Sequence, residues 1–161
     1  MLLSGTISSS RTRARALARL RPSQSGPPVP ALWLQPPDKE HSWAAGIRTG
    51  LAAAGFLVYV LSFDLVTMPS DLATGQAYPS FDLIILHVST QTPDHVAETV
   101  FQMRIGDKTP FLLLTDQEPL PFLLAALPAG ADAVLAIYTP VEVIVAHCRA
   151  LVRRSGSMVG I

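Results

Sequence analysis

The side chains best placed to do chemistry in this 161-residue chain gather around one histidine. Asp82-Leu83-Ile84-Ile85-Leu86-His87 is apolar without alternation, as a central strand of a parallel sheet covered on both faces would be, and it ends on an imidazole. Such an imidazole could accept a phosphoryl group or, with Asp38 and His41, ligate a transition metal. The competing expectation is a neutral histidine that fills space. Asp116 and Glu118 fall near the same rim, but two carboxylates without a base or nucleophile make no enzyme, and a solvated loop accounts for them better. The single cysteine, Cys148, excludes an internal disulfide and cannot build a cysteine metal site.

The elements that would position these groups follow from the pattern along the chain. Residues 31–35 read as a short first strand, stopped by Pro36-Pro37. Residues 39–54 are alanine-rich and helical, with Gly55 at a C-cap position. Strands are expected at 56–62, 82–87, 111–115 and 133–138, and 64–79 reads as a loop with room for a short helix. A helix over 94–105 carries Val96, Val100 and Met103 on one face. A short helix precedes Gly130, and a last one runs from Pro140 to about Arg154. This alternation implies right-handed crossovers and a doubly wound parallel sheet.

Bulk properties narrow the class. Hydrophobic residues make up 49% of the chain and charged ones 15%, a globular composition large enough for one full core. No apolar run reaches the ~18–20 residues of a membrane span, and with a single cysteine the reducing cytoplasm is the expected setting. Residues 1–30 hold Arg11, Arg13, Arg15, Arg19 and Arg21, four prolines and no acid. They read as a disordered basic leader, with an organelle transit peptide or a nucleic-acid-binding tail as alternatives. Because five of the twelve basic residues lie there, the rest carries seven basic against twelve acidic residues, a net of −5. That argues against a nucleic-acid surface on the folded part.

Over residues 31–154 the chain resembles the receiver domain of bacterial response regulators, and 155–161 is then a C-terminal tail. The resemblance is carried by strands 82–87 and 111–115, by the lead Ala129-Gly130-Ala131-Asp132, by the spacing from Thr115 to Asp132, and by the closing helix ending Arg149-Ala150-Leu151-Val152-Arg153-Arg154. It implies a flavodoxin-like α/β three-layer sandwich with a five-stranded parallel sheet. In that family, acidic residues after strand one and an acceptor aspartate after strand three hold Mg²⁺. A hydroxyl after strand four and a lysine after strand five contact the phosphoryl oxygens. Here the acidic pair falls on Gln35, Pro36 and Pro37, with Asp38 displaced, and the acceptor position is His87. Thr115 matches the hydroxyl, Ile137 stands for the lysine, and Val134 for the switch aromatic of strand five. A phosphoryl group on His87 would lie beside Ile137 with neither magnesium nor lysine to balance it. The resemblance therefore implies a pseudo-receiver without phosphoryl transfer, cofactor, metal or catalysis.

Function would then move to a surface. In receivers the face built by helix four, strand five and helix five dimerises or docks partners, and its fourth helix is normally rich in charge. Here Pro119-Leu120-Pro121-Phe122-Leu123-Leu124-Ala125-Ala126-Leu127-Pro128 carries none. Pro128 should end this helix early. Leu120, Phe122, Leu123, Val134, Val143 and Ala150 are the expected contact residues, for a protein partner or a second copy. Two alternatives remain. One is the regulatory domain of a DNA-binding transcription regulator, for which the closing Arg153-Arg154-Ser155-Gly156 resembles the passage into a winged-helix domain and a longer parent chain would be needed. The other is a flavodoxin-like small-molecule-binding domain, disfavoured because Gln35-Pro36-Pro37 stands where a glycine-rich phosphate loop would follow strand one.

Overall fold

Five apolar stretches form one sheet whose strands all run parallel. In the computed structural model, which describes residues 26–37, 42–62, 80–104 and 108–156, these are β1 (Val29–Gln35), β2 (Phe56–Ser62), β3 (Leu83–Val88), β4 (Phe111–Thr115) and β5 (Ala133–Ala136). Their order is β2-β1-β3-β4-β5, the flavodoxin-like winding, with the topological switch point between β1 and β3. The helices are α1 (Ser42–Ala53), α2 (Pro93–Arg104), α3 (Pro119–Ala129) and α4 (Val141–Arg154).

The continuous apolar runs of β3 and β4 have a direct cause. Every residue of both strands is buried, because helices cover both faces of the sheet. One core layer joins Leu32, Leu34, Ile84, Leu86 and Leu113 to α2 and α3. The other joins Ala31, Trp33, Ile85, Leu112 and Leu114 to α1 and α4. The two-residue alternation along each strand sends successive side chains to opposite layers. Trp33, Phe111 and Phe122 are the largest buried side chains, each worth about 2–3 kcal/mol of burial.

Several element bounds differ from expectation. Strand β1 begins at Val29 rather than 31, and the Pro30 carbonyl accepts from the Asp82 N–H. A proline is tolerated there because it sits at the start of the strand. Strand β5 stops at Ala136, where Thr139 N–H closes a turn on its carbonyl, so residues 137 and 138 lie beyond the strand. Helix α3 starts at Pro119 and runs through Pro128 to Ala129, so Pro128 does not end it. Its ring forfeits the bond to the Leu124 carbonyl, and that loss falls in the last turn. There Gly130, at φ +125°, donates to the Ala126 and Leu127 carbonyls. Residues 38–41 and 64–79, which include Asp38, His41 and the expected loop, lie outside the described residues.

Candidate functional site

Parallel strands bring their carboxyl ends to one rim, and β1 and β3 end there side by side. His87 is the penultimate residue of β3, paired in register with Leu114, and is only 2% exposed. By strand alternation it points into the layer that holds Trp33 and α1. Its ring meets Trp43 edge-on at a centroid distance of 4.4 Å and lies 6.4 Å from Trp33. The histidine sits in an aromatic cage formed by β1 and α1, and is not displayed at a solvated rim.

The end of β1 continues the cage. Trp33 Nε1–H donates to Gln35 Oε1 at 3.1 Å, and Arg48 Nη1–H donates to the same oxygen at 3.1 Å. The guanidinium carbon stands 5.4 Å from the Trp33 ring centroid, within cation–π range. Burial presses the Arg48 pKa below its usual value, yet an arginine stays charged throughout the physiological range. The end of β1 thus carries a permanent cation bonded to a neutral amide. A guanidinium held there supplies positive charge without a metal and opposes the approach of a divalent cation.

The adjoining loops are tied together. Thr115 is fully buried, and its Oγ1 accepts from Gln117 N–H at 3.0 Å. The Gln117 amide donates to the Ser89 carbonyl and, at 3.3 Å, to that of Gln91. Ser89 Oγ donates to Asp116 Oδ2 at 2.9 Å, and Gln91 Oε1 accepts from Ser89 N–H at 3.1 Å. The loop after β3 and the loop after β4 therefore form one hydrogen-bonded unit across the rim. Asp116 serves it as an acceptor, beyond the purely solvated role expected for it; Glu118 precedes α3 and is exposed.

Of the sequence-derived site residues, Gln35, His87 and Thr115 stand at this rim, with Pro36 and Pro37 just past β1. Ile137 packs half-buried against the α1/α4 layer. Among the described residues no three His, Cys, Asp or Glu side chains gather as a metal site. Trp33, Trp43, Arg48 and Gln117 were missed, although Arg48 is the lone charged residue of α1 and that isolation was a signal.

The candidate contact face needs two corrections. Phe122 is 2% exposed and Val134 is 8% exposed, so both belong to the α2/α3 core layer and not to a surface. Helix α3 turns Phe122 and Ala126 inward, four residues apart, which fixes its phase. Leu123 packs half-buried against the same core, and Ala150 is half-buried on α4. The outward side of α3 carries Leu120, Leu124 and Leu127, exposed and spaced at one helical stripe, while Tyr138 and Val143 stand exposed after β5 and on α4.

No protein-family model matches the sequence, and no curated protein matches it closely enough to count. The fold matches solved structures. It is similar to an orphan response regulator of Helicobacter pylori at 20% identity and TM-score 0.58, over 78% of this chain and 97% of that one. The receiver domain of the Mycobacterium tuberculosis response regulator NarL matches at 17% identity and TM-score 0.61, over 80% of this chain and 98% of that one. The beryllofluoride-activated N-terminal receiver domain of Klebsiella pneumoniae RstA matches at 19% identity and TM-score 0.60, over 77% and 98%. The chain has the flavodoxin-like receiver fold.

Proposed function

We propose that this is a pseudo-receiver, a signalling module that acts by protein contact without phosphoryl transfer, magnesium or catalysis. The observation that carries the reading is the rim of β1 and β3. A caged histidine stands near the carboxyl end of β3, the position that the resemblance assigns to the acceptor, and a guanidinium bonded to Gln35 stands at the end of β1. Magnesium requires hard oxygen ligands in octahedral geometry, and the magnesium-dependent transfer of a receiver uses a carboxylate nucleophile. A neighbouring permanent cation disfavours the first, and an imidazole packed against two indoles does not provide the second. The uncharged outward stripe of α3 supplies the contact surface, since monomeric soluble proteins rarely leave clustered leucines uncovered.

The test is incubation with acetyl phosphate and magnesium, and separately with beryllofluoride, followed by intact mass and melting temperature. Neither should change. His87→Asp should remain unmodified as well, because the metal still lacks its ligands, and burying a carboxylate among tryptophans should destabilise the fold by about 2–4 kcal/mol. A stable phosphoryl adduct on either protein, a phosphoramidate on the His87 imidazole or an acylphosphate on the introduced carboxylate, would sink the reading.

A further inference from the structure

Helices α1 and α4 pack side by side on one face of the sheet and leave an open groove of about 370 Å³ between them. Gly50 sets their close approach, because a Cβ added there would come within 2.5 Å of Val141 Cγ1. The outward residues of α1 are small and uncharged: Ala45, Gly46, Thr49 and Ala52 are all exposed. On α4 the groove is bordered by Glu142, Val145, Ala146 and Arg149. Glu142 and Arg149 are two helical turns apart and of opposite charge, too distant along the helix to pair with each other. Among the described residues neither has an ion-pair partner.

This arrangement is self-complementary, and we propose that the α1/α4 face binds a second copy of this chain, with the two α4 helices antiparallel about a two-fold axis. An isologous interface requires each contact to occur twice with its members exchanged. Placing the axis between Val145 and Ala146 does this, since Glu142 of each copy then faces Arg149 of the other. Ala146 lies at the crossing and lets the backbones close in, while the small residues of α1 take the partner's flank. Two helices of this length present a modest area, so the dimer is weak and reversible. The inference stands on residues separate from the α3 stripe and does not depend on the pseudo-receiver reading.

Sedimentation of the full chain over a wide concentration range tests it, with circular dichroism to verify folding. The expected result is a reversible monomer–dimer equilibrium. Glu142→Arg and Arg149→Glu should each weaken it at least about tenfold, since both ion pairs become repulsions. An equimolar mixture of the two variants should associate again, because both cross-pairs are then attractive. Glu142 is exposed, so Glu142→Arg alone keeps the test decisive if Arg149→Glu misfolds, with the double exchange Glu142→Arg/Arg149→Glu as the rescue. A wild-type monomer near 1 mM, unaltered dimerisation of Glu142→Arg, or no recovery in either rescue would each overturn the proposal. So would a dimer abolished by Leu120→Lys/Leu124→Glu, which would place the contact on α3.

Discussion

Cys148 shows how burial alone sets a residue's chemistry. It is fully buried on α4, and removal from water pushes its thiol pKa from 9.0 up to about 12. In the unfolded chain the thiol ionises from about pH 9, whereas in the fold it stays protonated until about pH 12. The stability linked to this group is therefore complete below pH 9 and is lost between 9 and 12, at about 1.4 kcal/mol per pH unit. Cys148→Ala should cost about 1–2 kcal/mol at pH 7 for the atoms removed. Chemical denaturation at pH 8 and at pH 10.5 should find that deficit erased or reversed at the higher pH. A deficit that stays constant would mean water reaches the thiol. The rim residues follow the same logic. His87 was legible as a histidine near the end of the third strand, but its cage was not, because Trp33, Trp43 and Arg48 are distant from it in sequence and meet only when α1 docks on β1.

At the scale of elements, punctuation and periodicity were legible where residue types alternate or stop. The parallel run of the strands follows from alternating apolar runs and helices, and Gly55 takes a positive φ of 100° after α1, as its C-cap position requires. Helix α3 was not legible in phase. With every residue apolar or proline, no polar side marks which residues turn outward, and Phe122 was therefore assigned to the surface. The two C-terminal glycines make a test. Gly55 has open space where a Cβ would stand, so Gly55→Ala incurs only backbone strain of about 1 kcal/mol. At Gly130 the φ is +125° and a Cβ would meet Arg104 Cγ at 2.9 Å, while Arg104 also donates to the Thr109 carbonyl and lies 3.7 Å from Asp132. Gly130→Ala should cost about 2 kcal/mol or more, measured by urea denaturation. Equal losses at both positions would mean that Arg104 swings away freely.

For the whole molecule, the latched rim and the exposed leucines point the same way. The hydrogen bonds joining Ser89, Gln91, Asp116 and Gln117 hold the loops after β3 and β4 in one arrangement, and Arg48 supplies at the end of β1 a charge that never leaves. On the proposed reading, a domain held so has little to gain from a phosphoryl switch, and its means of contact is a fixed surface. On α3 that surface is Leu120, Leu124 and Leu127. Covering each would contribute about 1.5–2 kcal/mol before ordering costs, which together suffice at best for binding in the range of tens of micromolar to millimolar. Leu120→Lys/Leu124→Glu should leave a folded domain of unchanged melting temperature, because both side chains already face water. It should also abolish capture of any partner that wild type retains. Phe122→Glu on the same helix should unfold the domain, because a charge would be buried without a partner. Circular dichroism beside calorimetric titration separates the cases: a folded double variant that still binds would remove α3 from the contact surface, and an unfolded one would return its leucines to the core.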